Sequence, residues 1–293
     1  MEKFIQLTLS GVANGAIFAL VALGFVLIYK SSDVINFAQG ELLMIGAYLT
    51  YMTVQQFGLF WPIGVVVAVI LAAVVGVLIQ QLVLRPMIGE PAISVIMVTI
   101  GLSSLLRAIV GAIWGVTPLA APQFLPRDPV SIMGASVSID KLLAIVLALV
   151  LFGLLTIFFR RSSEGIAMRA VADDQQAALS MGISVKRVWA VAWAIAAVTA
   201  AVGGILLMSI FGGVSGTIGR VGLLVFPVVI LGGLDSIPGA IVGGLIIGLL
   251  QAFAGGYLPP ALGLGEVVPF IVLLLILLIR PYGLFGQRMI ERV

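Results

Sequence analysis

Two aspartates, Asp33 and Asp235, interrupt long apolar stretches of this chain in the same way. The residues that follow them match at a constant offset of 202 positions. The matched pairs are Ile35 with Ile237, Ala38 with Ala240, Leu43 with Leu245, Ile45 with Ile247, and Gly46 with Gly248. Charges and backbone bends are costly in an apolar surrounding, so a bend that occurs in both halves of a chain indicates a transport pathway. The sequence therefore predicts a duplicated unit, over about residues 7–90 and 212–286, whose two bends form a gate.

A second interpretation of the two bends stays open. Breaks at 31–36 and 232–238 would each expose the N-terminus of a helix, where Asp33 and Asp235 could cap the free backbone N–H groups. In that case both aspartates would only cap helices at the membrane boundary.

A second set of polar residues lies in or near other apolar stretches. Its members are Asn14, Asn36, Gln39, Glu41, Thr99, Ser103, Ser104, Arg107 and Gln251. For Asn14, Thr99 and Ser103, hydrogen bonding between neighbouring helices is an open alternative. Glu41 and Arg107 cannot face lipid cheaply, so each must be paired, lie near an interface or face water. We expect the following residues to line the translocation path or its gate: Asn14, Asp33, Asn36, Gln39, Glu41, Thr99, Ser103 and Asp235.

The segment 169–182 reads Arg-Ala-Val-Ala-Asp-Asp-Gln-Gln-Ala-Ala-Leu-Ser-Met-Gly and predicts a short helix. Asp173 would cap its N-terminus, Gln176 would reach back to the cap, and Gly182 would supply the left-handed end. Basic residues flank it and would hold it to the inner membrane surface: Arg160, Arg161, Lys186 and Arg187. An amphipathic helix of this kind can seat in a groove of a cytosolic partner.

The composition identifies an integral membrane protein, because 62% of the residues are hydrophobic and only 9% are charged. The chain has no histidine and no cysteine, which excludes metal clusters built from them and a Ser/His catalytic dyad. The net charge of +3 is spread over the loops, so nothing favours nucleic-acid binding. We expect a transporter rather than an enzyme.

The apolar runs predict an all-α fold of about 8–10 transmembrane helices, with an internal repeat and broken helices, in a single domain over residues 1–293. The expected spans lie near 7–29, 37–55, 63–84, 91–115, 141–159, 188–211, 221–233, 238–255 and 266–279. The spans at 221–233 and 266–279 are short enough to be partial crossings. The connection 116–140 contains four prolines, so we expect it to form neither helix nor sheet.

Lysine and arginine favour the cytoplasmic side, and this rule places the N-terminus outside and the C-terminus inside. The inner set is then Lys30, Arg85, Arg160, Arg161, Arg169, Lys186, Arg187, Arg280, Arg288 and Arg292, against Lys3, Arg127, Lys141 and Arg220 outside. The two repeat units would enter the membrane from the same side. Close helix contacts are expected at Gly11, Gly15 and Ala19, at Gly239 and Gly243, and at Gly244 and Gly248, because small side chains let backbones approach.

The segment Gln176-Ala177-Ala178-x-x-x-Gly182 resembles the Glu-Ala-Ala-x-x-x-Gly loop of ABC importer permeases, with glutamine in place of glutamate. Three further segments extend the resemblance over nearly the whole chain. They are the opening Gly-x-x-x-Gly-x-x-x-Ala-Leu-x-Ala-Leu-Gly, Asp33-Val-Ile-Asn-Phe-Ala-Gln-Gly-Glu and Gly-Gly-Leu-Asp235-Ser-Ile-Pro-Gly. The chain is similar to permeases of the branched-chain amino-acid ABC importer family, and within it to the shorter of the two permease paralogues.

The resemblance implies a multi-pass subunit of the bacterial inner membrane. Its expected partners are a second homologous permease, two cytosolic ATP-binding subunits and a periplasmic substrate-binding protein that delivers the amino acid. The resemblance also assigns ATPase coupling to Asp173, Asp174, Gln176, Ala177, Ala178 and Gly182. None of the four lysines lies in a Gly-Lys-Ser/Thr motif, so we expect no cofactor on this chain and an energy source elsewhere, either a partner ATPase or an ion gradient. The resemblance implies ATP with Mg²⁺ on the partner ATPases.

Two alternatives stay open. Related permeases carry urea, short amides or other amino acids, so the resemblance does not fix the substrate. An ion-coupled secondary transporter is a different class, and it would usually place a carboxylate or histidine on the ion route. This chain has no histidine and only Glu41 as a central acid, so the sequence favours the ATP-driven importer.

Overall fold

The structure, a computed structural model, describes residues 1–121, 128–132, 134–259 and 263–286. Eleven α-helices lie in these ranges: α1 (Glu2–Ser32), α2 (Gln39–Tyr51), α3 (Trp61–Ile79), α4 (Ala92–Trp114), α5 (Ile139–Arg161), α6 (Ser163–Asp173), α7 (Gln175–Ser180), α8 (Val185–Phe211), α9 (Thr217–Gly232), α10 (Ile237–Tyr257) and α11 (Leu264–Ile279). Single π-helical turns extend α2 over Met52–Gln56 and α3 over Gln80–Leu84, and a 3₁₀ turn follows at Arg85–Met87.

Nine of these helices, all except α6 and α7, coincide with the nine predicted spans, which confirms an all-α membrane protein. Six of them, namely α1, α3, α4, α5, α8 and α10, are individually long and apolar enough to cross a bilayer. The helices α9 and α11 have 16 residues each and contain Pro227 and Pro269, so the two spans predicted to be short are short. The helix α2 reaches 18 residues only with its π-helical turn.

Helix α1 forms the centre of the bundle. In its most apolar 18-residue stretch, 89% of α1 is buried inside the protein, whereas the corresponding share is 28% for α3 and α4 and 22% for α5. The outer faces of these three helices expose apolar side chains such as Ile70, Ile109 and Leu149. Such faces suit contact with lipid, because hydrocarbon solvates them as well as a protein core does.

Helices α1 and α10 pack closely along their small residues. A Cβ atom added to Gly15 would lie 2.7 Å from the carbonyl oxygen of Gly244, and one added to Gly11 would lie 2.9 Å from the Cα of Leu249. Gly248 packs against the backbone of Gly15 from the opposite side. The close contacts predicted at these glycines are therefore confirmed, and the structure adds that the two small-residue stripes pack on each other.

The prediction that the connection 116–140 contains no sheet is wrong. Strand β1 (Leu119–Ala120) pairs with β4 (Gly213–Val214), and β2 (Pro129–Ile132) forms an antiparallel hairpin with β3 (Ala135–Ser138). Proline is tolerated at the first residue of a strand that has only one neighbour, which is the position of Pro129. Pro122, Pro126 and Arg127, like the inner cations Arg288 and Arg292, lie outside the described residues.

Candidate functional site

The first predicted bend is a break between α1 and α2. Helix α1 ends at Ser32, and Asp33 adopts a left-handed conformation with φ 54°, its N–H donating to the carbonyl of Tyr29 at 2.7 Å. The side chain of Asn36 accepts a hydrogen bond from the N–H of Ala38 at 3.0 Å, just before α2 begins. Asp33 therefore closes the C-terminus of α1, and the prediction that it caps an N-terminus is wrong.

The second bend separates α9 from α10 by only four residues, 233–236. Ser236 caps α10, because its hydroxyl accepts a hydrogen bond from the N–H of Gly239 at 3.1 Å. Asp235 stands one residue too early to reach that N–H group. The predicted capping role of Asp235 is therefore also wrong. Ser236 has the capping role instead, because the hydroxyl of a cap residue accepts a hydrogen bond from the N–H group three residues later in the chain.

The start of α2 lies deep inside the bundle rather than at its end. The side-chain amide of Gln39 donates to the carbonyls of Val21 and Ala196, at 3.4 Å each, and the N–H of Phe37 donates to the hydroxyl of Thr99 at 3.3 Å. Val21, Ala196 and Thr99 belong to the interior of α1, α8 and α4, several turns from the helix ends. The chain after α1 thus turns back into the bundle before α2 begins, which makes this a broken helix.

Glu41 and Arg107, the two charged residues that lie inside predicted spans rather than at their first residue, pair with each other. The guanidinium of Arg107 bonds Oε1 of Glu41, and the hydroxyl of Ser103 donates to the same oxygen at 3.0 Å. The Glu41 side chain is 3% exposed, whereas that of Arg107 is 57% exposed. The other carboxylate oxygen, Oε2, has no hydrogen-bond partner among the described residues. Of the three expected alternatives, which were pairing, a place near an interface and contact with water, the structure shows pairing.

A small cavity of about 40 Å³ adjoins this ion pair, and we call the residues around it the Glu41 cluster. They are Asn36, Phe37, Gln39, Gly40, Glu41, Ser103, Arg107, Gly219, Gly222, Leu223 and Phe226. Sequence reasoning missed the contribution of α9. The spacing of Gly219 and Gly222 was the available signal, because Gly222 packs directly on Gly40 and lets α9 approach the start of α2.

A larger cavity, of about 330 Å³, lies where the two bends meet; we call it the junction cavity. Asp33 and Asp235 both line it, together with Ala172 and Asp173 of α6 and Tyr282 after α11. Its other lining residues are Tyr29, Lys30, Ile230, Leu234, Leu277 and Pro281. Desolvation by the surrounding groups raises the pKa of the Asp33 carboxyl above its usual value. The two matched aspartates therefore share one space at one end of the bundle.

The remaining candidate residues do not line either cavity. Asn14 lies in α1, partly exposed, and Gln251 lies in α10 with a buried carbonyl oxygen that has no partner among the described residues. Ser104 is exposed and donates to the carbonyl of Ile100. Thr99 donates within α4, to Ile96 at 2.8 Å, and accepts from the N–H of Phe37, a member of the Glu41 cluster, as expected for a residue that joins neighbouring elements.

The segment 163–182 forms two helices, α6 and α7, where one was predicted; we call it the α6–α7 hairpin. Asp174 caps α7 by accepting hydrogen bonds from the N–H groups of Gln176 and Ala177, both at 2.9 Å. Asp173 is the last residue of α6, so the predicted cap was one residue too early. The extended backbone of Asp174, with φ −156°, breaks the helix there. Gly182, with φ 83°, ends the hairpin as predicted.

The hairpin buries one side of α7 and exposes the other. Ala178 is 4% exposed and packs in a cluster with Phe159, Val171 and Trp189. Leu179 and Met181 are 54% and 82% exposed. An ion pair between Glu164 and Arg187 joins α6 to α8. Among the predicted coupling residues, Ala178 thus packs the hairpin against the bundle, whereas the exposed apolar side chains of α7 and its end, Leu179 and Met181, were not among the predicted coupling residues.

Comparison with known proteins agrees with this architecture. The family described as branched-chain amino acid transport system / permease component matches residues 7–277. The chain is 34% identical over 303 residues to the high-affinity branched-chain amino acid transport system permease protein LivH of Salmonella typhimurium, covering 99% of this chain and 98% of that protein. It is 32% identical over 304 residues to the corresponding permease protein BraD of Pseudomonas aeruginosa, with the same coverage.

A solved structure shares the fold at low sequence identity. PsaBC from Streptococcus pneumoniae, in complex with Fab, superposes with a TM-score of 0.51 and 15% identity, over 95% of this chain and 92% of that chain. The match to the family over residues 7–277, and to its members over 99% of the chain, shows the family to which the chain belongs. This chain is a multi-pass membrane protein and belongs to the permease component family of branched-chain amino acid transport systems.

Proposed function

We propose that the chain is the membrane-spanning permease subunit of an ATP-driven importer of branched-chain amino acids. The junction cavity is the observation that carries this proposal, because α6 of the hairpin and both helix breaks line it together. A push on the hairpin from the cytosol would act directly on the two breaks. Helix ends that flank a break can change their backbone angles at low cost, so they suit a gate.

The energy for transport would come from partner subunits. The sequence lacks a Gly-Lys-Ser/Thr motif, so ATP and Mg²⁺ would bind to two cytosolic ATPases rather than to this chain. A second homologous permease would complete the path, and a periplasmic binding protein would deliver the amino acid. The coupling residues would be Gln176 and Ala177 at the start of α7, with Asp174 and Gly182 shaping the hairpin.

Leu179 and Met181 would be the direct apolar contacts of the ATPase. We expect Leu179→Glu and Met181→Glu to weaken association with the ATPase subunits by about 30-fold each, as for a buried anchor residue. The measurement is co-purification of the full chain with its co-expressed partners, together with leucine uptake by the same cells. Val116→Glu is the matched control, because Val116 is also exposed and apolar but lies after α4, far along the chain from the hairpin.

Undiminished association in both variants would contradict this docking surface. Uptake of leucine into lipid vesicles by the purified chain alone, driven by an ion gradient, would contradict the ATP-driven importer as a whole and favour a secondary transporter.

The two aspartates of the junction cavity would belong to the gate. We expect Asp33→Ala and Asp235→Ala each to lower leucine uptake about fivefold or more while ATPase association stays normal, because the substitutions act on coupling between sites. Asp128→Ala, at an exposed carboxylate before β2, should leave uptake unchanged. Normal uptake in both variants would mean that these aspartates only shape the helix ends.

A further inference from the structure

We propose that the Glu41 cluster binds the charged head group of an α-amino acid, with Glu41 taking the ammonium group and Arg107 taking the carboxylate. This inference rests on the proposed function and adds to it a substrate-binding site inside the translocation path. It differs from a general path role because it assigns one charge of the substrate to each residue.

The carboxylate of Glu41 has an unused acceptor in a place that water reaches poorly. Its side chain is 3% exposed, its Oε1 is bonded by Ser103 and Arg107, and its Oε2 is fully buried without a partner among the described residues. A buried carboxylate oxygen without a donor is costly, so such an atom calls for a ligand that can donate. An ammonium group supplies both the donors and the opposite charge.

Arg107 provides the complementary half. The guanidinium group has five N–H donors in a planar fork, which fits a carboxylate with two parallel hydrogen bonds. Among the described residues, the guanidinium of Arg107 bonds only Oε1 of Glu41, and more than half of the Arg107 side chain is exposed. The ammonium and carboxylate groups of an α-amino acid are attached to one carbon atom, so a site for both needs an acid and a base side by side. The Glu41–Arg107 pair has that arrangement.

The remaining walls of the cavity suit an aliphatic side chain. Phe37, Leu223 and Phe226 face the same space, and the rings of the two phenylalanines are 4.9 Å apart. Gly219 packs next to the free carboxylate oxygen, and a Cβ atom there would come within 2.7 Å of Oε2, so only glycine leaves room at this atom. An apolar wall beside a charged pair matches the chemistry of leucine, isoleucine and valine.

The site is closed in this structure. A cavity of about 40 Å³ has room for a water molecule but not for an amino acid. Two contacts would have to open to admit one, namely the packing of Gly222 on Gly40 and the contact between the rings of Phe37 and Phe226, and both join α9 to the start of α2. Helix α2 begins after the first break and α9 ends at the second, and residues of both breaks line the junction cavity. The same movement would therefore open the gate and uncover the charged pair.

Competition for bound leucine tests the assignment of each charge. The full chain, assembled with its permease and ATPase partners in lipid nanodiscs without the periplasmic binding protein, is titrated with radiolabelled leucine. The competitors are unlabelled leucine, 4-methylpentanoate, which lacks the ammonium group, and 3-methylbutylamine, which lacks the carboxylate. We expect wild type to prefer leucine over either analogue by about tenfold or more, the usual effect of one hydrogen bond to a charged group.

The variants should separate the two halves of the site. Glu41→Gln should remove the preference for leucine over 4-methylpentanoate, and Arg107→Gln should remove the preference over 3-methylbutylamine, while Arg107→Lys keeps part of it. Ser104→Ala and Glu90→Gln, at exposed positions, are the controls. A purely structural ion pair would instead weaken all three ligands equally in both variants. That result, or equal competition by the three ligands in wild type, or no leucine binding to wild type, would overturn the inference.

Uptake by cells separates this inference from the proposed function. If cells with wild-type chain and partners take up leucine but the binding pattern is absent, the head-group site is wrong and the importer stands. If those cells take up no leucine above the level of cells without the chain, the importer itself is wrong.

Discussion

Gly15→Leu should prevent the bundle from forming a stable protein. Gly15 lies in the central helix α1 against the backbone of Gly244 in α10, where even one added carbon would approach a carbonyl oxygen to 2.7 Å. Four added carbons cannot fit unless α1 and α10 separate, and overpacking of this kind costs about 3 kcal/mol or more. In a membrane the loss is severe, because helix association there depends on close packing rather than on exclusion of water. The measurement is the yield of monodisperse protein in detergent and its thermal unfolding.

Gly153→Leu is the matched control for this substitution. Gly153 lies within α5, where a Cβ atom would meet nothing within 4 Å among the described atoms. Leucine there removes a residue of poor helix propensity, so we expect unchanged or slightly higher stability, by about 0.5–1 kcal/mol. If both variants unfold alike, the loss in Gly15→Leu comes from leucine at a helical glycine in general, and the packing argument fails.

The transmembrane helices could be predicted from the sequence because their signals are local. Charges bound the apolar runs, and the length of each run follows from the thickness of a bilayer. Within the connection 116–140, strand β1 could not be predicted for the opposite reason, because its pairing is not local. Strand β1 pairs with β4, more than 90 residues later in the chain, and such a partner leaves no mark on the composition of either segment.

The candidate site was predicted by residue type but not by geometry. Glu41 and Arg107 could be selected because each carries a charge inside an apolar run, whereas their pairing depends on how α2 packs against α4. The predicted helix caps lay one residue before the observed caps, Asp174 and Ser236. The backbone conformation at the break decides which side chain reaches the free N–H groups, and the sequence does not show it. The contribution of α9 was missed because glycine carries no functional group.

Ala178→Arg should abolish association with the ATPase, and we expect it to do so by detaching the hairpin. On the sequence alone, the expected reason is that an arginine would lie on the apolar side of the amphipathic helix that seats in the partner's groove. In the structure Ala178 is 4% exposed and faces Phe159 and Trp189, so an arginine there would bury a charge among apolar groups. An unpaired buried charge costs several kcal/mol, and α7 has only six residues with which to offset that cost. Membrane insertion should stay intact, because the apolar spans are unchanged.

Ala177→Arg separates detachment from a blocked surface. Ala177 is the exposed neighbour of Ala178, so an arginine there adds the same charge without burying it. Hydrogen exchange of the backbone amides in 163–182 is the readout, since it follows local opening. We expect rapid exchange in Ala178→Arg and wild-type exchange in Ala177→Arg, whatever the second variant does to ATPase association. Protected amides in Ala178→Arg would show that the hairpin tolerates the charge, and Ala178 would then act through its contact with the partner.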